Sequence, residues 1–158
     1  MSSRGAIPPA AARHPAAAPP RAVTIEVRDT CLCLHVQRAA RTLARRFDDA
    51  FRPLSITHGQ FSLLTSLNRP GPARMAEVAA VLAMDRTTLT AALKPLQRRR
   101  LVTVAIDPAD KRSRRLALTA RGRALLVAAL PIWRREHAAL DRLVADPGPD
   151  RLRADLRA

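Results

Sequence analysis

The feature that most constrains this chain is a change of hydrophobic period between Asp85 and Gly122. Leu89, Leu93 and Leu96 recur at spacings of four and three, which is one buried face of a helix. Asp85 stands at the start, where its carboxylate can accept the orphan amide of Thr87 or Thr88. The opposite face carries Arg86, Thr87, Thr90, Lys94 and Arg98. After Leu101 the period falls to two. Val102, Val104 and Ile106 alternate, Arg115 alternates with Leu116 and Leu118, and Asp107-Pro108-Ala109-Asp110 between them is turn chemistry. A helix with a cationic outer face therefore runs into a two-stranded ribbon with a cationic tip. That is a helix suited to a major groove and a wing suited to its edge.

Charge placement supports this. The 158 residues carry 28 Lys and Arg against 13 Asp and Glu, a net charge of +15. Between Arg86 and Arg115 nine residues are basic and two, Asp107 and Asp110, are acidic. Nearly half the excess thus lies on one helix and one hairpin, as expected for a surface that meets a polyanion. A generally Arg-rich solvated surface would not concentrate it so. No apolar run approaches the roughly 20 residues that span a bilayer, and Arg13, His14, Pro15, Pro19 and Pro20 interrupt the N-terminal alanines. The expected location is cytoplasmic, with no membrane partner. There is no tyrosine and few aromatics, which argues against a single-strand stacking platform.

The rest of the chain frames the ribbon and helix. Residues 1–21 are rich in Ala, Pro and Arg without periodicity and read as a disordered arm. A helix is expected over 30–51, with Leu32, Val36, Ala40, Leu43 and Phe47 on one stripe and Pro53 beyond its end. Thr57 and Gln60 form a capping box for a helix that turns Phe61, Leu64 and Leu67 inward. A short helix from Met75 to Leu82, followed at once by the helix from Arg86, completes a helix-turn-helix. Thr119 caps a long helix on which Leu126, Leu130, Trp133, His137, Leu140 and Val144 step by three and four, with Pro131 expected to kink it. Asp150 is expected to cap a last helix carrying Leu152 and Leu156. The expected fold is mainly α with a small β-wing. A winged helix-turn-helix lobe over 57–118 is flanked by N- and C-terminal dimerisation helices over 30–51 and 119–158, so that 22–158 form one domain. Apolar faces at both ends suggest a homodimer of interleaved terminal helices.

The order of elements resembles the MarR family of winged-helix regulators. Three stretches carry the resemblance: 85–102, D-P-A-D-K-R at 107–112, and L-A-L-T-A-R-G at 116–122. The resemblance implies a homodimer on an inverted-repeat operator, usually a repressor, relieved by a ligand or by cysteine oxidation. By position, Arg86, Thr87, Thr88 and Thr90 match the base-reading end of the recognition helix. Lys94 and Arg98 match phosphate contacts. Arg112 matches a wing-tip arginine that enters the minor groove, flanked by Lys111 and Arg114, and Asp110 matches the acid that orients it. Asp110 also reads as a turn residue, and both can hold. Arg74 departs from the usual Ser or Thr cap, so its helix is expected to fray or begin later. Pro95 is expected to bend the far end of the recognition helix.

Cys31 and Cys33 are candidate redox residues, since a thiolate at a helix start beside Arg28 and Arg38 is activated. The plainer reading makes both small hydrophobes at a dimer interface. Residues two apart on a helix diverge, so an internal disulfide is not expected. The resemblance places an effector pocket between the first, second and long helices. There Phe47, Phe61 and Trp133 would line it, with Arg38 or Arg41 meeting a small aromatic or phenolic acid. The plainer reading puts these aromatics in the core. Cys31, Cys33, His35, His58 and His137 lack ligand spacing, so no metal and no cofactor are expected. No phosphate loop, nucleophile elbow or metalloprotease motif is present, so the chain is not expected to be an enzyme. The competing reading is a charge-driven architectural nucleic-acid-binding protein without a sensing role.

Overall fold

A computed structural model describes residues 18–144 and 146–157. Most of the arm expected over 1–21 lies outside the described residues, but its end does not. Helix α1, Arg21–Thr30, begins at Arg21 behind Pro20 and covers a segment to which the sequence pattern had assigned no element. Its apolar residues Val23, Ile25 and Val27 follow a period of two rather than four, which hid it from a periodicity reading. Cys31 then leaves helical geometry, with ψ at 103°, before α2, Leu32–Phe51. The Cys31 amide closes α1 on the Val27 carbonyl, and its own carbonyl accepts the amide of His35 in α2. The single helix expected from Thr30 thus starts at Leu32.

Residues up to Arg38 and residues from Ala39 form two compact units. In the first, Val23, Ile25, Val27, Leu32 and Val36 are exposed on a single chain. The second contains the core. A 3-10 turn at Arg52–Leu54 holds Pro53 and ends with Ser55 in the left-handed region. Helix α3, His58–Ser66, has the expected capping box: Thr57 Oγ1 accepts the Gln60 amide and Gln60 Oε1 accepts the Thr57 amide, each at 3.2 Å. Strand β1, Ala73–Arg74, leads into α4, Met75–Val81. There Glu77 accepts the Arg74 amide at 3.3 Å, so the helix begins at Met75 and the expected fraying is absent. Helix α5, Arg86–Arg98, continues through Pro95.

Strand β2, Val102–Asp107, and β3, Asp110–Leu118, form the expected hairpin, with Val104 opposite Leu116 and Asp107 opposite Asp110. The ribbon has a third strand. β1 pairs antiparallel with β3, Ala73 opposite Leu116, and the order is β1-β3-β2. Two residues are too short for a periodic signal, and only the partner strand reveals them. Helix α6, Ala120–Asp141, runs continuously through Pro131, and α7 spans Pro149–Asp155. Asp150 lies inside α7; its cap is Gly148, whose φ of 89° suits glycine, followed by Pro149.

Phe51, Leu63, Leu64, Val78, Leu89, Leu93, Leu96, Leu101 and Leu116 are fully buried, so α2, α3, α4, α5 and the sheet share one core. Fully burying such side chains contributes about 1.5–3 kcal/mol each. This anchors the inner face of α5 and leaves its outer face to solvent. Among the described residues, no helix is long and apolar enough to cross a membrane.

Candidate nucleic-acid interface

Helix α5 is set by its two ends. At the start, Asp85 Oδ1 accepts the Thr88 amide at 2.8 Å and Oδ2 accepts the Thr88 hydroxyl at 2.6 Å. These bonds from Thr88 hold the Asp85 carboxyl below its usual range. Before it, Ala83 occupies the left-handed region at φ 49°. Its amide reaches the Ala80 carbonyl, and the Met84 amide reaches that of Ala79. This Schellman turn closes α4 and aims α5. At the far end Arg100, φ 56°, repeats the motif with Leu101 bonded to Leu96. Arg99 then fastens α5 to the preceding turn by donating to the carbonyls of Leu54 and Ser55.

Each candidate contact residue has a distinct place. Arg86, Thr87, Thr90, Lys94 and Arg98 are exposed on the outer face of α5. The Thr90 hydroxyl donates back to the Arg86 carbonyl at 2.7 Å, and Thr88 is committed to the cap. Thr87 has no side-chain partner among the described residues, which leaves its hydroxyl and methyl facing solvent. Arg86 Nη2 lies 3.4 Å from the Arg112 carbonyl, so the helix start touches the wing. Between them is a cleft of about 400 Å³ walled by Met75, Ala79, Arg86, Asp110, Arg112 and Arg114. Asp110 Oδ1 accepts the Arg112 amide at 2.9 Å, so it orients the backbone at the tip. Arg114 donates to the carbonyls of Lys111 and Ser113, each at 3.1 Å, and stiffens the same turn.

The base of the wing holds an acid that is part of the expected turn and is buried. Asp107 is 1% exposed. It accepts the Ala109 amide at 3.1 Å and Arg115 Nε at 2.7 Å, and Arg74 Nε lies 3.6 Å away. The Ala109 amide first, then Arg115, hold its carboxyl below the usual range. Arg115 also donates to the Pro72 carbonyl at 3.3 Å. The Asp107 carboxylate thus ties β1, β2 and β3 together. Its signal in sequence was an acid at the turn of a charged hairpin with an arginine eight positions on, a pattern any solvated turn can share.

The candidate sensing residues divide. Phe61 and Trp133 wall a cleft of about 480 Å³ together with His58, Thr65, Val81 and Leu82. Phe47 does not: it is buried between His58 and His137, with ring centroids 5.2 Å from each. Arg38 and Arg41 are not among the walls either. A helix stripe predicts which residues are apolar, not which of them a cavity reaches. Cys31 is half-buried and Cys33 exposed, both as free thiols, and Gln37 Nε2 lies 3.2 Å from Cys33 Sγ. Among the described residues no cluster of three or more His, Cys, Asp or Glu has metal-binding geometry.

Comparison with known proteins gives this arrangement relatives. The model of the MarR family matches residues 56–113, the lobe from Ile56 through the wing tip. The HTH-type transcriptional repressor NicR of Pseudomonas putida is 37% identical over 79 residues, half of this chain and half of NicR. The chain thus spans about half the length of that curated relative. The structure of the Mycobacterium tuberculosis transcriptional regulator MosR in complex with DNA superposes with a TM-score of 0.73 at 38% identity, covering 80% of this chain and 91% of MosR. Bordetella bronchiseptica BpsR, whose DNA binding is regulated by 6-hydroxynicotinic acid, is 25% identical with a TM-score of 0.66, covering 80% of this chain and 88% of BpsR.

Proposed function

The chain belongs to the MarR family, and on that premise we propose that it is a sequence-specific double-stranded DNA-binding regulator, acting as a homodimeric repressor of an inverted-repeat operator. The contact between Arg86 and the Arg112 carbonyl carries the reading. It makes the start of α5 and the wing one basic surface, with the helix placed for a major groove and Arg112 for the neighbouring minor groove. MosR supports it by having been solved on DNA, and NicR by being a repressor. Thr87 and Arg86 read bases, Lys94, Arg98 and Lys111 neutralise phosphates, and Asp110 and Arg114 shape the tip. The reading lobe, 57–118, is carried by helices on either side within one domain over 22–158, working in the cytoplasm. Val23, Val27, Leu32 and Val36 near the start of the chain, and separately Leu143, Leu152 and Leu156 near its end, are exposed apolar side chains that a second copy would cover.

Footprinting on the chain's own upstream DNA tests this. Two protected half-sites related by two-fold symmetry, about one helical turn apart, are expected. Arg112→Ala should weaken operator binding by about 1–3 kcal/mol. Protection without symmetry or sequence preference would instead identify an architectural protein. Relief of repression comes through a small aromatic effector, as the BpsR likeness and the cleft at Trp133 support, or through oxidation of exposed Cys33 and its neighbour Cys31. Gel shifts under peroxide separate the two: if Cys31→Ser and Cys33→Ser chains still release DNA on oxidation, the thiol route is excluded.

A further inference from the structure

Three consecutive arginines close α5, and each has a different place. Arg98 is exposed on the outer face, and Arg100 is the left-handed residue at φ 56°. Arg99 between them is half-buried and reaches the turn that follows α2. Its Nη1 donates to the Ser55 carbonyl at 2.5 Å and its Nη2 to the Leu54 carbonyl at 3.2 Å. These carbonyls lie where the 3-10 turn ends, the Ser55 amide having closed on the Arg52 carbonyl. A helical end leaves such carbonyls without amide partners, and a cation there is favoured. The planar guanidinium fork takes both at once, in a fixed direction.

The start of α6 holds the same corner. The Thr119 hydroxyl donates to the Arg100 carbonyl at 2.7 Å, and the Thr119 amide donates to the Leu101 carbonyl at 3.1 Å. Thr119 is the cap of α6, and Gly122 in its first turn lies against the Leu101 carbonyl. Three successive residues at the end of α5 thus meet the two longest helices. Arg99 takes the end of α2 through the 3-10 turn, and Arg100 and Leu101 take the start of α6. The Leu101 amide donates to the Leu96 carbonyl, and both side chains are buried, so the corner is continuous with α5. The other end of α5 is held by contacts inside the reading lobe: the Asp85 cap, the Ala83 turn and the reach of Arg86 to the wing.

We propose that Arg99 is a positioning residue for operator recognition: forked onto the Leu54 and Ser55 carbonyls, it fixes the angle of α5 against the end of α2, and so the separation of the two α5 helices in a dimer. The proposal rests on the reading of the chain as a homodimeric regulator and names the residue that sets its half-site spacing. Burial of Leu89, Leu93 and Leu96 holds α5 down, but that force is non-directional. The forked bonds have direction. A helix end tied at both Arg99 and Thr119 cannot swing about either, whereas loss of the Arg99 fork leaves a hinge at Thr119. The 13 residues of α5 make it about 20 Å long. A rotation of about 10° at this corner therefore carries the base-reading end about 3.4 Å, one base-pair step.

The test uses the full chain and three duplexes: the sequence that footprinting protects, and the same sequence with one base pair added or removed between its half-sites. One base pair shifts a half-site by about 3.4 Å and turns it by about 35° around the duplex axis. Fluorescence anisotropy at fixed salt is expected to show the parent binding the altered duplexes at least about tenfold more weakly. Arg99→Ala should narrow that penalty to about threefold or less. Arg99→Lys keeps the charge but not the fork, and should fall between. It also decides the matter alone if Arg99→Ala does not fold: a penalty equal to the parent's overturns the proposal. So does an Arg99→Ala chain that weakens on all three duplexes by one factor, which is the mark of a merely structural role. A salt slope lower by about one for Arg99→Ala would make Arg99 a phosphate contact and overturn it too. A parent chain without any spacing preference would refute the dimeric operator reading itself, whereas the other failures leave that reading standing.

Discussion

Replacing Gly122 with Ala puts a methyl group where the backbone of α6 rests on another backbone. An ideal Cβ at Gly122 would stand 2.1 Å from the Leu101 carbonyl oxygen and 3.3 Å from Leu118 Cδ2. Ordinary contact begins at 3.4 Å, so the first turn of α6 must retreat by about 1.3 Å, and its neighbour is a carbonyl rather than a movable side chain. The retreat breaks a specific junction. The Thr119 amide donates to Leu101 O at 3.1 Å, the Thr119 hydroxyl donates to Arg100 O at 2.7 Å, and Thr119 Oγ1 accepts the Gly122 amide at 3.0 Å. Overpacking costs about 1–3 kcal/mol, and weakening two of these hydrogen bonds costs about 1 kcal/mol each. Against this, Ala is about 1 kcal/mol better than Gly inside a helix. The net is a destabilisation of about 2–4 kcal/mol, or a fall in Tm of roughly 5–15 °C for a chain this long. Thermal unfolding followed by circular dichroism at fixed protein concentration reads it. Gly59→Ala is the control, because the nearest atom to its new Cβ is 3.9 Å away; its Tm should hold or rise. A Gly122→Ala chain within 2 °C of the parent, or one that falls no further than Gly59→Ala, would refute the close-approach argument.

Acid should weaken the fold through two histidines. Burial lowers the pKa of His58 against the pull of Asp48, and burial lowers that of His137 against Asp141, with Arg153 and His58 acting in the same direction as burial. Groups held neutral in the fold contribute stability that is complete above the unfolded value of about 6.5 and is lost as pH falls toward the folded values. The Tm should therefore drop between pH 7.5 and 5.5, and His137→Gln should flatten that drop; a flat parent profile would contradict the burial account. Asp107→Asn removes the charge that Arg115 and Arg74 share. It should loosen the wing and weaken DNA binding by less than Arg112→Ala does, with helical circular dichroism unchanged; unaltered affinity would show that the wing does not depend on that anchor.

What the sequence made legible was whatever is encoded locally. The caps at Asp85, Thr57 and Thr119 stand where polar residues precede apolar periods, because a cap is a contact between residues two or three apart. The leucines of α5 and the alternation of β2 and β3 declared their buried faces for the same reason. Features that depend on distant partners stayed hidden. β1 is two residues that become a strand only because Leu116 and Arg115 pair with them. Asp107 reads as turn punctuation until Arg74, more than 30 positions earlier, is beside it. Gly122 stood out as part of a motif, but its reason is a carbonyl 21 residues away. Around the Trp133 cleft the aromatic stripes were readable, yet whether a ring faces core or cleft is decided between helices. That is why Trp133 and Phe61 reach the cleft and Phe47 does not.

The abundance of arginine acquires a physical meaning once each guanidinium is followed to its partner. Arg99 grips two carbonyls at the end of α5, Arg115 grips Asp107 and the Pro72 carbonyl, and Arg114 grips two carbonyls in the wing turn. Each uses the several donors of a planar fork, which a lysine ammonium on a flexible stem cannot match in direction. The only two lysines of the chain, Lys94 and Lys111, are exposed and have no side-chain partner among the described residues, as do Arg98 and Arg112. Positive charge in this lobe therefore has two employments. Forked contacts hold α5 and the wing in register, and partnerless charges are left where a phosphate backbone would pass. A net charge counted from sequence merges the two. A guanidinium balanced by a carboxylate, as Arg115 is by Asp107, releases few counterions on binding DNA, so the electrostatic strength of the interface is set by fewer residues than the charge of +15 suggests.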